Sequence, residues 1–115
     1  MDKKEALEIV KADGFALETL SEEFKKDRDV VIEAIKTSGM GGLQHADKSF
    51  YKDRDLILIA VKKNGRCLNR ADENLKKDRE IVLAACKNDG DALGDAHNTL
   101  KKDKVIYLRI CNFLN

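Results

Sequence analysis

The sequence predicts an all-α fold, an α-solenoid-like stack of about four and a half helical-hairpin repeats, on three observations. An aspartate recurs at Asp2, Asp27, Asp53, Asp78 and Asp103, at intervals of 25, 26, 25 and 25 residues. A glycine recurs at Gly14, Gly39, Gly65 and Gly90, and an apolar run fills each interval between aspartate and glycine. Proline is absent from all 115 residues, so no residue forces a helix to break. Two ladders holding one period along a chain are the mark of stacked, mutually supporting units.

The copies, in order, divide one domain (1–115) into repeats 1–24, 25–50, 51–75 and 76–100 and a capping half-repeat 101–115. Each opens on a first helix: MDKKEALEIVKADG (1–14), KKDRDVVIEAIKTSG (25–39), YKDRDLILIAVKKNG (51–65) and KKDREIVLAACKNDG (76–90). The aspartate is placed to accept the first free backbone N–H groups, and the acid two residues on (Asp29, Asp55, Glu80) complements the positive helix end. The glycine is expected to take a left-handed conformation that stops the helix.

A second amphipathic helix is expected after each glycine, with Leu17, Leu20 and Phe24 on one face, then Leu43, Ala46 and Phe50, Leu68, Ala71 and Leu75, and Leu93, Ala96 and Leu100. Eight or nine residues of such helix are unstable alone, so packing must hold them. The extra residue of repeat two lies in GMGGL, where its glycines suit a loosened loop.

Interior first helices touch three neighbours and need apolar surface around most of their circumference, whereas end copies need one apolar side. The sequence grades accordingly. LILIAV (56–61) is the richest run, Glu5 and Glu8 interrupt the first copy, and Arg109 interrupts the last, KKDKVIYLRIC. The fifth copy supplies one helix, Val105 to about Leu114, as a cover for repeat four.

Composition narrows the function classes. Twenty-two Lys and Arg against 21 Asp and Glu create no global field toward nucleic acid or an anionic membrane. Cys67, Cys86 and Cys111 are odd in number and widely spaced, which suits a reducing compartment and core positions better than a disulfide framework or zinc site. No apolar run has membrane-spanning length, and the first 15 residues lack the apolar core of a signal peptide, so a soluble cytoplasmic protein is expected.

The regular acids are read as caps rather than metal ligands, since Lys or Arg flanks each one. Lys26, Lys52, Lys77 and Lys102, with Arg28, Arg54, Arg79 and Lys104, form one edge that could follow a phosphate backbone, but interleaved acids favour a solvated salt-bridge ladder. Lys11, Lys36, Lys62 and Lys87 fall in the last turns of the first helices, where the dipole favours them. His45 and His97, two repeats apart, are read as surface residues. No catalytic or phosphate-binding motif is present, so neither an enzyme nor a cofactor is expected.

The segment KKDREIVLAACKNDGDALGDAHNTL (76–100) resembles the repeat of the domain of unknown function 4116 family. The resemblance covers nearly the whole chain and implies a helical, repetitive fold. It carries no assigned catalytic activity, hence no functional residues. Copy two departs from the pattern at GMGGLQHADKSF, and copy one places Glu5 where the pattern has an apolar residue.

What the fold does not dictate is left for recognition. The rows Thr19, His45, Arg70, Asp95 and Phe15, Met40, Arg66, Asp91 should face outward, and Tyr51 replaces a lysine of other copies. Phe15, Met40, His45, Tyr51, Arg66 and Arg70 are therefore the expected partner-binding residues of a protein-protein interaction module, an adaptor or an inhibiting effector, as a monomer or weak homo-oligomer. The alternatives are nucleic-acid binding along Lys26, Lys52, Lys77 and Lys102, and self-association around Ile106, Tyr107, Ile110 and Phe113.

Overall fold

The computed structural model describes residues 2–103, and within them all regular structure is helical. The α-helices are α1 (Lys3–Ala12), α2 (Glu22–Lys25), α3 (Arg28–Ser38), α4 (Met40–His45), α5 (Arg54–Lys63), α6 (Glu73–Lys76), α7 (Arg79–Asn88) and α8 (Asn98–Lys101). Between them lie 3₁₀ helices at Gly14–Thr19, Lys48–Lys52, Gly65–Arg70 and Gly90–Asp95. The first helices α1, α3, α5 and α7 pack side by side in chain order. The radius of gyration of 14.8 Å exceeds the roughly 13 Å of a compact globule of this length, as an elongated stack requires. The half-repeat at 104–115, including Lys104, Ile106, Tyr107, Ile110, Cys111 and Phe113, lies outside the described residues.

The aspartates start the first helices as expected. Asp27 Oδ1 accepts the N–H of Asp29 and Val30, Asp53 Oδ1 that of Leu56, and Asp78 Oδ1 those of Glu80 and Ile81. Burial grades as the end-copy argument requires: α1 buries Ala6 and Val10, whereas α5 buries Leu56, Ile57, Ala60 and Val61. Each fully buried Leu or Ile contributes about 1.5–3 kcal/mol by leaving water. The apolar circumference is not closed, however. Leu58 and Ile59 are only half-buried, because neighbouring first helices flank α5 without covering its outer side.

The glycines work differently from the expectation. Among the described residues only Gly39 has positive φ, at 50°. The helices are stopped instead by the preceding Asp13, Asn64 and Asp89, whose extended backbones also cap the following 3₁₀ helices. Gly14 and Gly65 serve close approach: a Cβ at Gly65 would stand 2.2 Å from the carbonyl oxygen of Ala85, and one at Gly14 would stand 2.3 Å from that of Ala34. Both glycines press against the first helix of the next repeat. Their N–H groups bond to it, Gly14 to Ser38 Oγ (3.0 Å) and Gly65 to Asn88 Oδ1 (2.7 Å).

The single second helix is also corrected. In each repeat the chain breaks into two short helical pieces, with Leu20, Ala46, Ala71 and Ala96 extended at or beside the break. The periodic apolar residues remain on the buried side, and the spacing of three then four spans the break without revealing it. The cause is a contact distant in the chain. The freed N–H groups of Asp47, Asp72 and His97 donate to the carbonyls of Lys25, Tyr51 and Lys76, the residues that open their own repeats, each at 3.0 Å. A continuous helix would have used those donors internally.

In repeat two the inserted residue makes an α-helix rather than a loosened loop. Leu43 N–H reaches back four residues to Gly39, whereas Ala16, Cys67 and Ala92 reach back three, to Asp13, Asn64 and Asp89. Here Gly39 donates to Ile35 of its own repeat, not to repeat three. The glycine lock therefore joins repeat one to two and three to four, and is absent from the middle junction.

Candidate functional site

One edge of the stack carries a charge ladder that links every repeat. Arg28 Nε donates to Asp53 Oδ2 at 3.0 Å and Arg54 Nε to Asp78 Oδ2 at 2.7 Å. A second Arg54 nitrogen reaches Glu80 at 2.9 Å, Arg79 donates to Asp103, and Lys3 fills the same role toward Asp27 and Asp29. Each interior aspartate thus caps its own helix with one oxygen and takes the preceding repeat's cation with the other. The Arg28 and Arg54 guanidiniums hold Asp53 and Asp78 below the usual carboxylate range, against opposing desolvation. Lys26, Lys52, Lys77 and Lys102 stand beside this ladder, all exposed.

The expected partner-binding residues separate into two groups. Phe15, Arg66 and Arg70 are exposed, Phe15 by 53% with its ring against Gly41. Met40, His45 and Tyr51 are half-buried rather than outward-facing. Tyr51 belongs to the scaffold: its hydroxyl donates to the Leu43 carbonyl at 3.5 Å and its own carbonyl takes the Asp72 N–H. His45 Nε2 sits 3.8 Å from Glu18 Oε2 and 3.1 Å from Gln44 Nε2. Arg66 is aimed at the half-buried Asp95 of the next repeat, 3.6 Å from Oδ2, so the attraction is ionic without a hydrogen bond; Asn69 donates to the other oxygen.

The two histidines line different hollows at equivalent positions. One hollow, of about 380 Å³, includes Glu22, Lys25, His45 and Asp47, and the other, of about 360 Å³, Glu73, Lys76, Asp95 and His97. His97 is moreover a helix cap, its Nδ1 accepting the Thr99 N–H at 3.2 Å. Cys67 and Cys86 are buried, and burial pushes both thiols up to about 11, which suppresses the nucleophilic thiolate.

A second surface was not singled out from the sequence. On the outer side of the first helices, Leu7, Ile32, Leu58 and Leu83 form a half-exposed aliphatic row, one per repeat, with Lys11, Lys36, Lys62 and Lys87 four residues further on. Two grooves of about 380 Å³ open here. One lies between α1 and α3 and is lined by Leu7, Lys11, Asp29, Ile32, Glu33 and Lys36. The other lies between α5 and α7 and is lined by Lys62, Ala84, Lys87 and Asn88. The period-25 recurrence of an aliphatic residue at this position was the available signal. It was absorbed into the expectation that interior helices are apolar nearly all round.

The family model described as domain of unknown function (DUF4116) matches residues 2–51 and again residues 53–101. No curated protein and no solved structure gives a match. Each matched segment contains two of the copies described above, and the seam between segments falls at the junction that lacks the glycine lock. With both segments matched, the chain belongs to the DUF4116 family.

Proposed function

We propose that the protein is a protein-binding module, an adaptor or stoichiometric inhibitor that acts in the cytoplasm by covering another protein's surface. One observation supports the reading. Capping, the charge ladder and the long-range backbone bonds at the helix breaks recur copy after copy, while the residue that follows each glycine changes from the exposed Phe15 to the half-buried Met40 and the exposed Arg66 and Asp91. A fixed scaffold beneath varied exposed side chains is how repeat proteins present recognition surfaces, and exposed Phe and Arg are residue types that anchor interfaces. The test is a triple variant, Phe15→Ser, Arg66→Glu and Arg70→Glu, confined to exposed positions. Loss of the partner bound by the native protein in its own cells is expected. An unchanged partner, together with unchanged crosslinks at this row, counts against the reading.

A second reading, nucleic-acid binding, is favoured by the exposure of Lys26, Lys52, Lys77 and Lys102 at one equivalent position of repeats two, three and four and of the half-repeat. It requires affinity to fall with salt by about 0.9 logarithmic units per decade for each lysine engaged. Absence of binding to duplex or single-stranded probes at low salt removes it.

A further inference from the structure

We propose that the middle junction, between α3 and α5, is a hinge. The repeats on either side form two stiff blocks, α1 to α4 and α5 to α8. The stack changes curvature by opening at the Gly39 end of this junction while the Arg28–Asp53 pair holds the other end. The inference does not depend on the protein-binding reading above. It bears on the proposed surface all the same, because Phe15 rides on the first block and Arg66 and Arg70 on the second, so the hinge angle sets the spacing between them.

The three junctions differ first at the C-terminal ends of the first helices. Gly14 and Gly65 approach so closely that an added Cβ would strike the Ala34 or Ala85 carbonyl oxygen, and their N–H groups bond to Ser38 Oγ and Asn88 Oδ1. Asn88 also returns a bond, its Nδ2 donating to the Lys62 carbonyl at 3.3 Å. At the middle junction the residues in register with Asn88 and Ser38 are Lys63 and Asn64. A lysine has no acceptor to offer, and Asn64 Oδ1 is taken by the Arg66 N–H of its own repeat. The nearest atoms to a Cβ at Gly39 would be Lys63 Cγ at 3.2 Å and Asn64 Cβ at 3.3 Å. Side chains, not backbones, space these two repeats.

Two other parts of the junctions agree. At the N-terminal ends of the first helices, Lys3 reaches Asp27 and Asp29, and Arg54 reaches Asp78 and Glu80, each a pair of acids in the next repeat. Among the described residues Arg28 reaches Asp53 alone. On the side of the 3₁₀ helices, Asp95 draws both Arg66 and Asn69 across the last junction. The middle junction is crossed there by the Tyr51 hydroxyl, 3.5 Å from the Leu43 carbonyl and at the limit of hydrogen bonding. In a stack whose stability sums the contacts between neighbours, the junction with the fewest polar links yields first. Gly39, the one described residue with positive φ, sits at the opening end, and a glycine absorbs backbone rotation at little steric cost. The apolar core runs unbroken through all the repeats, so the blocks stay in contact as the angle changes.

Distance distributions from double electron–electron resonance test the hinge in the full-length protein carrying Cys111→Ser, with nitroxides on cysteines introduced at exposed positions. The pair Lys26→Cys/Lys62→Cys spans the middle junction, while Lys4→Cys/Lys36→Cys and Asp55→Cys/Asp91→Cys each lie within one block. The distribution across the middle junction is expected to be at least about twofold broader than either of the others. Arg28→Met should broaden it further. Arg54→Met, which removes the same kind of contact at a locked junction, should leave the distribution within the second block unchanged. The proposal is overturned if the three widths agree, if a pair within one block is the broadest, or if Arg54→Met broadens its own junction as much as Arg28→Met broadens the middle one. The widths without either arginine change decide the matter should one of those variants fail to fold. No partner enters the measurement, so its outcome is separate from whether the Phe15, Arg66 and Arg70 variant loses native partner binding.

Discussion

Arg54 and Asp78, 24 residues apart, meet at 2.7 Å across a repeat junction while the second oxygen of Asp78 caps α7. One carboxylate thereby sets both where a helix begins and which helix lies beside it. Asp78→Ala should lower stability by about 1 kcal/mol through the lost cap. Asp78→Asn should retain most of the capping and lose the ionic part. Urea unfolding of the two variants separates these contributions.

The same pairing fixes the sign of a pH effect. Asp53 and Asp78 have folded-state pKa values below the ordinary one, chiefly through their arginine partners. The stability this provides is complete above the unfolded-state value of about 3.9 and is lost as pH falls through the lower folded values. Denaturation midpoints measured from pH 6 downward should therefore decline in acid. In Arg54→Met, carbon-detected titration should show the Asp78 pKa rising toward the ordinary value.

Two glycine substitutions should differ in outcome. Gly65→Ala places a Cβ 2.2 Å from the Ala85 carbonyl oxygen and must push adjacent repeats apart, an overpacking cost of about 1–3 kcal/mol. Gly94→Ala meets no atom within 4 Å and has no positive φ, so it should be neutral or stabilising by up to about 1 kcal/mol. Thermal melts of both variants check the contrast. Equal effects would refute the close-approach account of Gly65.

The buried thiols give a chemical test. In a Cys111→Ser background, Cys67 and Cys86 should resist alkylation at pH 8 in the folded protein and react fully in denaturant, because burial holds them protonated. Rapid labelling of either under native conditions would contradict their burial.

The first helices and their caps were legible because each depends on local chemistry: an aspartate, an acid two residues later and a helical apolar pattern. The repeat period was equally plain. The break beside Leu20, Ala46, Ala71 and Ala96 was not, since a buried side chain spaced three then four reads alike whether its backbone is helical or extended, and the bonds that favour the break go to residues far back in the chain, from Asp47 to Lys25, Asp72 to Tyr51 and His97 to Lys76. The glycines were assigned to the right positions for the wrong reason: the crowding of Gly65 against Ala85 involves a residue 20 positions away. Among the candidate surface residues, Phe15, Arg66 and Arg70 were read correctly as exposed, whereas Tyr51 was drawn inward by bonds to Leu43 and Asp72. The Leu58 and Leu83 face escaped notice because hydrophobicity alone does not say which side of a helix goes uncovered.

The alternation of locked and unlocked junctions has a bearing on how such a chain can change length. A cassette running from Asp2 to Lys52 begins and ends at equivalent points, so duplicating or deleting one whole cassette recreates the same joints. Removing repeat two alone would instead set Gly14 opposite Asn64, the residue in register with Ser38, whose Oδ1 already accepts the Arg66 N–H. Growth in even steps is thus the path of least chemical disturbance.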